Sequence, residues 1–265
     1  MFSPFPPRFL IPNAITALSL ILACVAIALA HQGEFSAAAW SIVWCVLLDR
    51  IDGAVARLVN ASSEFGRQLD SLADFLAFCV APGLIVYFFF TGSTQYAPLV
   101  GKTTFHAGVA ISALLFVVAG GVRLARFNVT AARSDGAWFE GLSTTFAGFI
   151  LVTLLLCGER YAWPPDVMAW MPLVLLVCSL LMVSNLPLPK ELPSGRRVLF
   201  IVVVVGHLLV YALGMLRMYP GVLLFLALSY PALGFVLGAR WSRRADDPAY
   251  PGEESPVQRR PEANP

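Results

Sequence analysis

Charge is what this chain has least of. Only 13% of its 265 residues are Asp, Glu, Lys or Arg, whereas 58% are hydrophobic. A water-soluble domain carries about a quarter charged residues, so a globular cytosolic enzyme is excluded. Histidine occurs three times. The five cysteines, Cys24, Cys45, Cys79, Cys157 and Cys178, are odd in number and lack metal-ligand spacing. A thiolate or imidazole metal centre is not expected; buried free thiols are. No internal repeat is present, and a net charge of +2 suggests no nucleic-acid partner.

Long apolar runs take the place of charge. A stretch of about 17–25 apolar residues spans a bilayer as a helix, and eight such stretches can be drawn, at 14–30, 36–57, 70–90, 105–125, 143–159, 166–186, 198–216 and 220–239. The expected fold class is an all-α integral membrane protein, a polytopic bundle of about eight transmembrane helices. With an even number of spans both termini share one side, and that side collects 15 of the 18 Lys and Arg residues. Basic residues accumulate in cytoplasmic loops, so both termini are expected there, in the inner (cytoplasmic) membrane of the cell. The domains follow: a proline-rich interfacial segment over 1–13, a membrane domain over 14–240, and a disordered Pro-, Glu- and Arg-rich tail over 241–265.

Against this background, "LLDRIDGAVARLVNASSEFGRQLDSLADFLAF" (47–78) is out of place. Each charge at bilayer depth costs about 2.5–3.5 kcal/mol or more, yet Asp49, Asp52, Asp70 and Asp74 stand here together. At about 100° per residue, Asp49, Asp52, Gly53 and Ala56 share one face of the second helix. Asp70 and Asp74 share a face of the third. The short polar linker makes the two helices antiparallel neighbours, so their cytoplasmic ends bring four carboxylates together. Four mutually repelling charges are neutralised by two divalent cations. Oxygen ligands without His or Cys select hard ions, Mg²⁺ or Mn²⁺, which commonly also hold phosphate oxygens and so suggest phosphoryl chemistry. Gly53 and Ala56 leave room for a ligand or a packed helix, and Arg57 extends to where an anionic phosphate would sit.

Together the residues fill D-x-x-D-G-x-x-A-R-x₈-G-x₃-D-x₃-D, through Asp49, Asp52, Gly53, Ala56, Arg57, Gly66, Asp70 and Asp74. This resembles the signature of the CDP-alcohol phosphotransferases, membrane enzymes of phospholipid synthesis. The resemblance implies two metals held by Asp49, Asp52 and Asp70 on the diphosphate of a CDP-linked lipid. Asp74 would also touch metal and act as general base for the acceptor hydroxyl. It further implies that Gly53, Arg57 and Ser63 contact the CDP-lipid and that Asn13 and Thr16, in "IPNAIT", border the cytidine. Homodimerisation is carried over in the same way.

The surroundings resemble the phosphatidylserine synthase branch: "SSEFGRQLDSLADFLAFCVAP" (62–82), "VRLARFNV" (122–129), "FEGLSTT" (139–145) and "VSNLPLPK" (183–190). One departure is that the branch usually has Gly-Leu-Pro-Thr-Pro where this chain has Gly141, Leu142, Ser143, Thr144 and Thr145; losing both prolines changes how the helix begins. The implied reaction moves the phosphatidyl group of CDP-diacylglycerol to L-serine, releasing CMP. Arg123 and Arg126 suit the serine carboxylate or a lipid phosphate, and serve equally as positive-inside anchors. Glycerol phosphate, inositol and choline are the alternative alcohols. A cation transporter would place acids near midplane in both halves of the chain, and an intramembrane prenyltransferase would split its acidic motifs between distant helix pairs. Neither pattern matches one compact cluster.

Overall fold

The computed structural model describes residues 9–59, 63–92, 103–131, 138–189, 209, 212–214, 216–229 and 231–232. Among them the chain is helical apart from one short ribbon. In order come α1 (Leu10–His31), α2 (Phe35–Leu58), α3 (Glu64–Phe75), a π-helical turn (Leu76–Val80), α4 (Ala81–Gly92), α5 (Thr103–Ala131), β1 (Trp138–Glu140), α6 (Thr144–Arg160), α7 (Pro165–Met168), α8 (Met171–Val183) and β2 (Pro187–Pro189). A further apolar helix, α9, covers Pro220–Ser229.

Four segments are long and apolar enough to cross a membrane: Leu10–His31, Glu64–Gly92, Phe105–Val129 and Pro165–Val183. The 24-residue α2 has the length but carries Asp49, Arg50, Asp52 and Arg57 in its last three turns. The 17-residue α6 lies at the lower limit of spanning length. The span expected at 198–216 falls largely outside the described residues, as do the second half of the one at 220–239 and the tail 241–265. α1 begins at Leu10, inside the segment expected to be interfacial. Pro12 is accommodated because it falls in the first helical turn, where a missing N–H costs no helix bond.

The α1–α2 hairpin organises the rest. α1 ends in a Schellman arrangement: Glu34 N–H donates to Leu29 O (2.9 Å) and Gly33 N–H to Ala30 O (3.1 Å). Gly33 holds φ +86°, a left-handed conformation that glycine adopts without penalty. Beyond that turn the two helices run antiparallel, with Ala23, Ala26 and Ala30 buried on one side and Ala38, Ala39 and Ile42 on the other. Small side chains let the backbones approach, as membrane helix pairs require; the Cys45 thiol even reaches Ser19 O at 3.4 Å. Outward-facing apolar residues, among them Leu114 (66% exposed), Leu180 (73%) and Phe225 (69%), fit lipid rather than water.

Behind the hairpin, α3, the π turn and α4 form one continuous 29-residue helix. The widened turn buries Phe78 and Cys79 completely. Glycines on two neighbours make room for it. A Cβ at Gly148 on α6 would stand 2.7 Å from Phe78 O, and one at Gly120 on α5 2.3 Å from Cys79 Sγ. These approaches seat α5 and α6 directly behind the part of the helix that carries Asp74. The ribbon pairs β1 antiparallel with β2, Phe139 opposite Leu188. Such a ribbon was not expected from a sequence read as all-helical; Pro187 and Pro189 are tolerated because a two-stranded ribbon is all edge.

Candidate active site

The antiparallel hairpin sets the C-terminal end of α2 beside the start of α1, and the short linker to Ser63 brings α3 to the same end. There, one carboxylate oxygen each of Asp49, Asp70 and Asp74 lies within 4.8 Å of the others. A single helical turn in the second half of α3 suffices to place Asp70 and Asp74 together, since residues four apart share a face. Three converging carboxylates with no histidine or thiol among them form a donor set for a hard, oxygen-preferring cation.

Asp52, expected as the fourth member, stands apart from that triad. It is only 5% exposed, and its Oδ2 accepts a 2.7 Å hydrogen bond from the Thr16 hydroxyl of α1. Thr16 also reaches Pro12 O at 3.1 Å. A residue expected beside cytidine therefore orients a carboxylate, and a hydrogen bond to a charged group contributes about 1.5–3 kcal/mol.

Ser63 caps α3, its Oγ accepting from Gly66 N–H at 3.0 Å, which satisfies one of the helix's orphan donors. Asn13 arrives from α1: a Cβ on Gly66 would lie 3.1 Å from both Asn13 Oδ1 and Ser63 Oγ. Asn13, Ser63 and Gly66 thus form a polar corner where α1 meets α3. Glu64 pairs with Arg67 and accepts from Gln68 Nε2 at 3.0 Å, keeping that first turn wound. On α2, a Cβ at Gly53 would meet nothing nearer than the Arg57 guanidinium, 3.9 Å away. Gly53 and Arg57 adjoin, and the space beside them is open.

α5 returns to the same end and carries both candidate arginines. Asn128 donates to Ser71 Oγ at 2.9 Å, tying α5 to α3. Arg123 Nη1 contacts Thr144 Oγ1 at 3.5 Å, lies over the Phe127 ring with 5.5 Å to the centroid, and is within electrostatic reach of Asp74. Arg126 points elsewhere, donating to Val183 O at 3.2 Å and Ser184 O at 3.5 Å. Those carbonyls end α8, so Arg126 satisfies groups a helix terminus leaves open.

Thr144 was not singled out as a site residue, although "FEGLSTT" was noted for its missing prolines. α6 begins at Thr144 nonetheless, with Ser143 as its N-cap at ψ 141°, a position serine favours. Lys190, the basic residue that closes the 183–190 stretch, lies outside the described residues.

The family description "CDP-alcohol phosphatidyltransferase" matches residues 9–183. A CDP-diacylglycerol–serine O-phosphatidyltransferase of Helicobacter pylori is 39% identical over 188 residues, 71% of this chain and 75% of its own length. The protein of that name in Bacillus subtilis is 31% identical over 195 residues, 70% of this chain and 97% of its own length. One in Saccharomyces cerevisiae is 34% identical over 145 residues, 54% of this chain and 48% of its own.

Proposed function

The chain belongs to the CDP-alcohol phosphatidyltransferase family, and from that premise we propose that it transfers the phosphatidyl group of CDP-diacylglycerol to the hydroxyl of L-serine, giving phosphatidylserine and CMP. The observation that carries this reading is the convergence of Asp49, Asp70 and Asp74 at the end of a membrane bundle whose relatives bear that name.

Asp49, Asp70 and Asp74 are the residues that would hold divalent cation, with Asp52 completing the set for a second one. When bound, Mg²⁺ or Mn²⁺ supplies positive charge that grips the donor diphosphate and stabilises the departing CMP. Thr16 holds the Asp52 carboxylate in place through its 2.7 Å bond. Gly53 leaves the backbone open to the nucleotide, and Arg57 beside it faces the diphosphate. Asn13 and Ser63 line the corner next to them. Asp74 takes the proton of the serine hydroxyl as its oxygen attacks the lipid-side phosphorus. That new P–O bond forms as the bond to CMP breaks. A serine hydroxyl is far too weak an acid to ionise freely at neutral pH, so proton removal and attack are concerted.

Serine and CMP are soluble while the lipid tails are not. The site therefore opens at the cytoplasmic face of the inner membrane, with eight spans and both termini on that side. A homodimer is the expected assembly. Offering purified protein CDP-diacylglycerol with L-serine, glycerol phosphate, inositol or choline separately tests the assignment. Phosphatidylserine and CMP should form with serine alone. Release of CMP only with another alcohol would leave the family standing and refute serine.

A further inference from the structure

The two stretches 139–145 and 183–190 are distant in sequence, yet backbone bonds make them one unit. β1 pairs with β2, Gly141 N–H donates to Leu186 O and Leu142 N–H to Leu181 O, each at 2.9 Å. Gly141 has φ +75°. A Cβ on it would stand 2.7–2.8 Å from the carbonyl oxygens of Leu181, Met182 and Ser184. Only glycine lets the chain lie this close to the end of α8. Arg126 fastens the unit to α5 through Val183 O and Ser184 O. Three residues earlier on α5, Arg123 meets Thr144, fully buried at the start of α6. Two neighbouring arginines therefore have different employments. One binds the helix terminus, and the other contacts Thr144 and interacts electrostatically with Asp74.

We infer that Arg126 is a positioning residue for the acceptor: by pinning the 141–142 and 181–186 knot to α5, it keeps Thr144 and Arg123 in place, and Arg123 is the arginine that meets the carboxylate of serine. This rests on the serine reading. It divides a pair of residues that the sequence presents as equivalent. Carbonyl oxygens need only a donor, which a lysine ammonium supplies. A bidentate carboxylate contact needs the planar guanidinium fork.

The experiment compares steady-state kinetics of Arg126→Gln, Arg126→Lys, Arg123→Lys and Gly141→Ala in detergent micelles containing CDP-diacylglycerol, with thermal midpoints as a control for folding. Losing one charged hydrogen-bond donor corresponds to about tenfold or more. Arg126→Gln should therefore raise the serine KM about tenfold, with the CDP-diacylglycerol KM unchanged. Arg126→Lys should recover most of that loss, Arg123→Lys should not be tolerated, and Gly141→Ala should behave like Arg126→Gln. An unchanged serine KM in Arg126→Gln overturns the inference, as does an equal rise in both KM values. A lysine at 126 as damaging as glutamine would make Arg126 itself the carboxylate contact and also overturn it. Should wild-type protein use another anionic alcohol, the serine reading fails by itself, and the same comparison of that alcohol's KM decides the knot.

Discussion

The two ends of the α1–α2 hairpin are built to opposite rules. At the closed end the turn is held by partners within the chain: Gly33 completes it with backbone bonds, and aromatic rings pack edge to face, Phe35 on Phe89 and His31 on Phe88. At the open end like charges converge, with Asp49, Asp70 and Asp74 oxygens mutually within 4.8 Å and a fourth carboxylate, Asp52, buried nearby. The first arrangement stabilises the fold by itself. The second is unfavourable until something positive arrives. The tight turn and the carboxylate cluster thus stand at opposite ends of the α1–α2 hairpin, the cluster shared with α3, and substitutions at the two ends should sort accordingly.

The largest effect should come from the open end. Asp49→Asn, Asp52→Asn or Asp70→Asn should each lower turnover by at least about 10³-fold, because each removes a charged oxygen ligand from the site. The apo protein should melt no lower, since one repelling charge is gone. Chelation with EDTA should match these variants, and added Mn²⁺ or Mg²⁺ should restore the wild type only. Asp74→Asn should be comparable in kcat but different in kind. As a general base it should lose about 10²–10⁴-fold in kcat while CDP-diacylglycerol binding, measured by equilibrium dialysis, largely survives. Collapse of donor binding would make Asp74 chiefly a ligand.

Intermediate effects belong to the residues behind the carboxylates. Thr16→Val keeps the shape but removes the hydrogen bond to the buried Asp52, so kcat/KM should fall about tenfold or more and the thermal midpoint should fall with it. Gly53→Ala sharpens the contrast further. Its Cβ has open space, the Arg57 guanidinium being 3.9 Å away, so the thermal midpoint should hold while the KM for CDP-diacylglycerol rises. A drop in midpoint instead would mean Gly53 serves helix packing. The smallest effect on chemistry belongs to the closed end. Gly33→Ala should cost about 1–2 kcal/mol for a left-handed residue, read as a lower midpoint, with kcat and KM untouched.

Much of the open end was legible from spacing alone. Asp70 and Asp74 are four apart on one helix, and Asp49 sits on the neighbour that a short linker forces antiparallel; helical periodicity carries that information. The separate setting of Asp52 was not legible. It depends on the rotation of α1 against α2, which small alanine side chains fix in three dimensions and no local pattern reports. The division between Arg123 and Arg126 was hidden for a similar reason. Three residues apart on one helix, they face α6 and the end of α8, and only the backbone knot around Gly141 reveals which arginine is engaged with a helix terminus. The π turn at Leu76–Val80 left no signature in hydropathy, because an apolar run reads the same whether it winds with i+4 or i+5 bonds. The ribbon was masked by its own prolines, which argue against strands except at edges.

The central claim is that the converging carboxylates exist to hold divalent cations on the donor. The most direct measurement is Mn²⁺ binding followed by electron paramagnetic resonance, on purified protein in micelles with and without CDP-diacylglycerol. Wild-type protein should bind two Mn²⁺ per chain in the presence of the donor, and Asp49→Asn or Asp70→Asn should lose that binding while remaining folded. Equal Mn²⁺ binding by wild type and both variants would contradict the account, because the carboxylates would then have gathered without a cation to hold.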